Sequence, residues 1–190
     1  MLRLQPSLWD MAQPAVGFDI KSWISIESDP KCREITRSIV PEHVLQTPTH
    51  NVNNIPNELY RTHIDCHINT SPCQPFSRLQ DSPKGFRDKE RTSPLIAAAN
   101  LHTRLKQTNP DIKMMVENVE FHSSLQYNFQ KFQKMWNGTA MPLNAKEVGS
   151  PSSRPRQFIT DITDLGKIQH INLCHLTMSS STTDTVKTDI

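Results

Sequence analysis

The stretch Ser93-Pro-Leu-Ile-Ala-Ala-Ala-Asn-Leu-His-Thr-Arg-Leu-Lys-Gln-Thr-Asn-Pro-Asp-Ile-Lys-Met-Met-Val-Glu-Asn-Val119 sets the fold class. Leu95, Ala98, Ala99, His102 and Leu105 recur at helical spacing, and Ser93-Pro94 opens the helix. Ile112 to Val119 then reads as a buried strand that ends in Glu117-Asn118-Val119. The same alternation continues on both sides. Upstream, Trp23-Ile24-Ser25-Ile26 alternates as a short strand, and Asp29-Pro30 starts a helix by side-chain capping and a proline in the first turn. That helix should end near Ser38, before Pro41. Residues 43–59, broken by Pro48 and Pro56, read mainly as loop and short strand. His63 to Asn69 alternate again and lead into Thr70-Ser71-Pro72-Cys73. Arg78 to Arg91 is polar and without period, a long loop of the kind that is uncommon in a compact domain and often functional. Downstream, an amphipathic helix from about Ser124 to Trp136 places Leu125, Phe129, Phe132 and Trp136 on one face. Leu143 to Val148 and Gln157 to Ile162 read as two further strands. Strands alternating with helices imply an α/β fold with a mostly parallel sheet.

Length and composition bound the function. A chain of 190 residues is one domain by the usual prior. No apolar run approaches the ~18 residues that span a bilayer, so no membrane association is expected. Met1-Leu-Arg-Leu-Gln-Pro6 offers no apolar leader, and the four cysteines, Cys32, Cys66, Cys73 and Cys174, show no C-x-x-C spacing. Both features imply an intracellular protein with reduced thiols. The formal net charge is only +2, which by itself gives no warrant for a nucleic-acid partner. Its distribution says more. Residues 74–157 hold 13 Lys and Arg against 7 Asp and Glu, a local net of +6, and the rest of the chain carries −4. A basic middle between acidic ends suits a polyanion, although a solvated loop gives the same numbers.

Three short segments carry candidate chemistry, because ligand sites in such sheets lie at the carboxyl ends of strands. Cys73 sits between Pro72 and Pro75 just past a strand, where a thiol near cations can serve as a nucleophile; a structural cysteine is the plain alternative. Glu117 ends an apolar strand, where a carboxylate with a raised pKa could donate a proton or hydrogen bond to a heterocycle; a surface carboxylate is the alternative. Arg154 and Arg156 alternate along an extended segment and so project the same way, suited to a phosphate or to a carbonyl oxygen gaining charge, or simply forming a basic edge. A metal set drawn from His63, Cys66, His67 and Cys73 is disfavoured, because strand alternation splits these residues between faces, and no metal is expected.

Taken in order, Pro72-Cys-Gln-Pro-Phe-Ser77, Glu117-Asn-Val119 and Arg154-Pro-Arg156 resemble the nucleophile, Glu-Asn-Val and paired-arginine motifs of the DNA (cytosine-5) methyltransferase family. The segment Asn144-Ala-Lys-Glu-Val148 looks most like that family's eukaryotic de novo-type branch. The resemblance covers roughly Gly17 to Ile162. It implies a Rossmann-like fold dependent on S-adenosylmethionine and a DNA partner, in the nucleus if the host is eukaryotic. It further implies that the Cys73 thiolate adds to cytosine C6, that Glu117 contacts N3, and that Arg156 with Arg154 faces O2. Glu27 would bind the cofactor's ribose hydroxyls, Asn51 would replace the family's usual Asp at the adenine amino group, and Pro72 would line the cofactor. Ser77, Arg78, Lys84, Arg87, Lys89 and Arg91 match the loop that closes over DNA.

Two departures accompany the resemblance. The family's Gly-rich strand-to-helix turn should fall near residues 2–9, where the sequence has no glycine. The chain also ends without the family's target-recognition region. The expected organisation is therefore an incomplete fold: a degenerate or truncated segment at 1–16, a catalytic core at 17–165, and an extension at 166–190, disordered from about 178. An inactive methyltransferase-like protein that binds DNA or a partner is the alternative, and a partner subunit could supply missing elements.

Overall fold

A computed structural model describes residues 19–148, 151–162 and 170–177. The expected segment at 1–16 and the tail beyond 177 lie outside the described residues. The first strand, β1 (Asp19–Ile26), leads into helix α1 (Pro30–Ile39). Asp29 caps that helix, its carboxylate accepting from the amides of Lys31 (2.7 Å) and Cys32 (3.4 Å). A two-residue strand, β2 (Leu45–Gln46), follows, and then β3 (Cys66–Thr70). Helix α2 (Lys89–Thr108) delivers the chain to β4 (Lys113–Val119), and α3 (Gln126–Trp136) precedes β5 (Thr139–Asn144), β6 (Pro155–Thr160) and β7 (His170–Thr177).

These strands form one seven-stranded sheet in the order β2-β1-β7-β3-β4-β6-β5. The pairs among β2, β1, β7, β3 and β4 are parallel, and β6 runs antiparallel to both β4 and β5. The sheet is mostly parallel, as the alternation of elements required. Pro142 lies in β5, an edge strand, where a missing amide donor is tolerated.

The main core packs α2 and α3 on one face of the sheet. Leu95, Ala98, Leu101 and Leu105 of α2 and Phe132 and Trp136 of α3 meet Ile24, Ile26, Met114, Val116 and Ile159 from the strands. A smaller cluster of Ile20, Val40, Val44 and Cys66 has Trp23, Leu45, Ile68 and Ile162 packed against it. Alternation along β3 explains the division: Cys66 joins the smaller cluster, and His67 turns the other way to meet His102 and Trp136. A register shift between Ile20 and Ser22 lets Ile20 and Trp23 share a face despite their odd separation. After α3 the chain turns through Asn137 at φ 49° and Gly138. A Cβ on Gly138 would lie 2.7 Å from Met114 Cε and 2.8 Å from Ile159 Cγ2, so only glycine allows this approach.

Several boundaries differ from the sequence reading. Helix α2 begins four residues before Ser93, capped by Asp88, whose carboxylate accepts from Arg91 N–H at 3.2 Å. Lys89 and Arg91 thus lie in its first turn rather than in a loop, and Pro94 sits inside the helix. The strand expected at Leu143–Val148 ends at Asn144 and passes into a 3-10 turn, Ala145–Val148, where the Asn144 side chain accepts from Lys146 N–H. Part of the segment expected to be an extension, His170–Thr177, is a strand at the centre of the sheet.

Candidate active site at the carboxyl ends of the parallel strands

Two βαβ units diverge from the middle of this sheet. β1 connects through α1 to β2 on one side, and β3 connects through α2 to β4 on the other. Between β1 and β3 the strand order reverses, and in open α/β sheets that reversal opens a crevice at the carboxyl ends. Glu27 directly follows β1, Ser71-Pro72-Cys73 follow β3, and Glu117 lies two residues before the end of β4. The parallel register carries all of them to one edge of the sheet.

Cys73 begins a 3-10 turn, Gln74–Phe76, whose Pro75 and Phe76 are buried. Behind it, buried Asn69 accepts through Oδ1 from both the amide (3.2 Å) and the hydroxyl (2.5 Å) of Ser71, which fixes the exit from β3. The turn is clamped to the segment after β4. Ser77 pairs antiparallel with Phe121, the His122 amide donates to the Phe76 carbonyl at 3.1 Å, and the Phe76 and Phe121 rings stack with centroids 4.4 Å apart.

Glu117 and Arg156 meet across β4 and β6. The antiparallel register pairs Val119 with Arg156 and Glu117 with Phe158, so Glu117 and Arg156 are diagonal neighbours on one face. Their side chains form an ion pair, Arg156 Nε to Glu117 Oε1 at 2.5 Å, each mostly shielded from solvent. Arg154 lies just before β6, and its amide donates to Asn144 Oδ1 at 2.8 Å. Burial raises the Cys73 thiol above its ordinary pKa of 9.0 and Glu117 adds to the rise, while Arg156, a backbone hydrogen bond and Arg154 pull the other way. The thiol, the carboxylate and both guanidinium groups thus share one electrostatic neighbourhood.

The other residues singled out by sequence are placed as follows. Glu27 is buried, and its Oε1 accepts from the Asp29 amide at 2.8 Å. Pro72 is half-buried beside Cys73. Asn51 is exposed, and its Oδ1 accepts from both the amide and the side chain of Asn53. Ser77 and Arg78 adjoin the clamp, and Lys84, Arg87, Lys89 and Arg91 are exposed along the loop and the first turn of α2. The structure does not bring His63, Cys66, His67 and Cys73 together. His63 pairs with Asp65 at 3.0 Å, Cys66 is a core thiol whose pKa burial pushes up to about 12, and His67 lies against His102. Among the described residues no group of three or more His, Cys, Asp or Glu side chains could hold a metal ion. No described helix is long and apolar enough to cross a membrane.

Sequence reasoning missed Glu120. It forms an ion pair with Arg78 at 2.5 Å and borders a cavity of about 520 Å³. Its position directly after Glu117-Asn-Val119 was the available signal.

A mostly parallel α/β sheet with a cysteine, a glutamate and paired arginines at one edge has the character of a Rossmann-like methyltransferase fold. The model of the C-5 cytosine-specific DNA methylase family matches residues 12–188, and the chain belongs to that family. Its structure is similar to that of a prophage-encoded E. coli protein described as a DNA modification methyltransferase, with a TM-score of 0.53 and 20% sequence identity. That likeness covers 80% of this chain and 42% of the other, so the chain spans less than half of the protein it matches. No curated protein matches it.

Proposed function

We propose that the chain acts on cytosine in DNA, with Cys73 as nucleophile and Glu117, Arg154 and Arg156 around the base. The observation that carries this reading is the Glu117–Arg156 pair standing within electrostatic reach of Cys73. Cytosine C5 is a poor nucleophile, so electron density must first be pushed into the ring. In this reading the Cys73 thiolate adds to C6 as Glu117 hydrogen-bonds N3, and the electron pair moves to C5. Arg156 and Arg154 face O2, where negative charge gathers. C5 then takes a methyl group, loses its proton, and the thiol departs as the C5–C6 double bond re-forms. The target base must leave the duplex, at a cost of a few kcal/mol that protein contacts offset. Lys84, Arg87, Lys89 and Arg91, all exposed, would meet the phosphates.

S-adenosylmethionine, when bound, supplies the methyl group. The residues present fit it in part. Glu27 presents a buried carboxylate at the crevice, held in orientation by the Asp29 amide, and would accept from ribose hydroxyls. Pro72 would line the same crevice. Asn51 fits less well, because both acceptor sites of its Oδ1 are already used by Asn53, and an adenine amino group must compete for them. The competition at Asn51 favours a second reading, an inactive DNA- or partner-binding protein, or one completed by a partner subunit. In either reading it is intracellular, in the nucleus if the host is eukaryotic.

The decisive experiment is a covalent complex with DNA carrying 5-fluorocytosine, beside calorimetric titration with S-adenosylmethionine. An adduct lost in Cys73→Ala supports the assignment, and an adduct that persists there overturns it. No adduct, together with no measurable cofactor binding, favours the second reading.

A further inference from the structure

In an antiparallel pair, the residue after Ser77 stands opposite the residue before Phe121, so the bridge between them sets Arg78 against Glu120. The two form an ion pair at 2.5 Å although their side chains are 56% and 47% exposed. Beside the pair lies the 520 Å³ cavity, lined by Arg78, Glu120, Phe121, His122, Ser123 and Gln126. His122 Nδ1 accepts from the Ser124 amide at 3.1 Å, which leaves Nε2 as the N–H donor of the neutral ring. The lining therefore combines a guanidinium, an imidazole N–H, a hydroxyl and a carboxamide with one carboxylate. Apart from Glu120 and the apolar Phe121, its side chains offer hydrogen-bond donors, which suits an anion.

We propose that this cavity seats a backbone phosphate of DNA and that Glu120 guards it, holding Arg78 in the free protein and yielding it to the phosphate. This rests on the DNA-modifying reading above. An exposed ion pair contributes little to stability, so the exchange is inexpensive, and a phosphate accepts the same two-pronged hydrogen bonding as a carboxylate. Arg78 is five residues from Cys73 and two from the clamping ring of Phe76, so a phosphate held there positions the duplex beside the thiol. Glu120 is a positioning residue acting through Arg78.

The test is a double-mutant cycle on duplex affinity, measured by fluorescence anisotropy for the wild-type chain, Glu120→Gln, Arg78→Ala and the double variant. Melting temperatures show that all four fold. With Arg78 present, Glu120→Gln should tighten binding about two- to fivefold, because the phosphate no longer competes with a carboxylate. Without Arg78 the same change should give under about twofold, the effect of removing one negative charge. Equal tightening in both backgrounds, or none, overturns the guard. Replacing chloride by inorganic phosphate at matched ionic strength should weaken duplex binding only in the chains that keep Arg78; equal weakening without Arg78 would place the competing anion elsewhere and overturn the assignment. A wild-type chain that binds no duplex removes the DNA reading itself, a result distinct from duplex binding indifferent to Glu120.

Discussion

Burial holds the Cys73 thiol above its ordinary pKa against the pull of Arg156 and Arg154. Only the thiolate reacts with alkylating agents, so labelling of Cys73 should be slow near pH 7 and still climbing beyond pH 9. Arg156→Ala removes the largest downward influence and should slow labelling further. Glu117→Gln removes an upward one and should speed it. Mass spectrometry of the Cys73 peptide across a pH series checks both signs, and fast labelling at neutral pH would contradict them. A second prediction concerns the imidazoles on the far side of the sheet. His67 and His102 meet Nδ1 to Nδ1 at 3.3 Å under Trp136, and the His102 pKa falls to about 4, through burial first and Lys106 second, with Asp161 opposing. The unfolded chain binds this proton below about pH 6.5, the folded one only below about 4. Stability is therefore full above pH 6.5 and drops as the pH falls towards 4, by on the order of 3 kcal/mol. Urea unfolding across that window should show the loss, and His102→Leu should flatten it.

At the scale of elements, the clamp on the Cys73 turn is aromatic. Phe76, with no exposed surface, touches the rings of Phe86, Phe121 and Phe132. Phe76→Ala should cost about 3–5 kcal/mol in denaturant unfolding, and Phe76→Leu much less. A loss near zero would mean that the turn is held by its backbone bonds alone. The sequence showed which residues end strands, because an apolar run stopping at Glu27 or at Glu117-Asn-Val119 is a local signal. The start of α2 escaped it. Ser93-Pro94 has the chemistry of a helix opening, but Asp88 caps the helix one turn earlier, at the sacrifice of a hydrogen bond to the Glu90 carbonyl at Pro94. The Ser77–Phe121 bridge escaped for another reason: it joins segments 44 residues apart, and spacing along the chain does not show such pairing.

At the scale of the molecule, β7 decides whether there is one sheet or two. It pairs Trp23 with Leu173 on one side and Leu173 with Cys66 on the other, so its backbone alone joins β1 to β3. Its place could not be read from sequence, since a chain that leaves β6 at one side of the sheet must pass β4 and β3 before it pairs. That central place sets β7 between the strands that lead to Glu27 and to Cys73, so the proposed site should depend on it. A proline removes an amide donor and is excluded from central strands, whereas Pro142 shows that edge strand β5 accepts one. Leu173→Pro should therefore destabilise the protein by about 3 kcal/mol or more, the scale of a proline inside a regular hydrogen-bonded element. It should also abolish the fluorocytosine adduct under conditions where the variant remains partly folded. Equal urea midpoints for Leu173→Pro and the wild type would show that β1 and β3 hold their positions without β7, and the crevice would then have to be rebuilt around a different central strand.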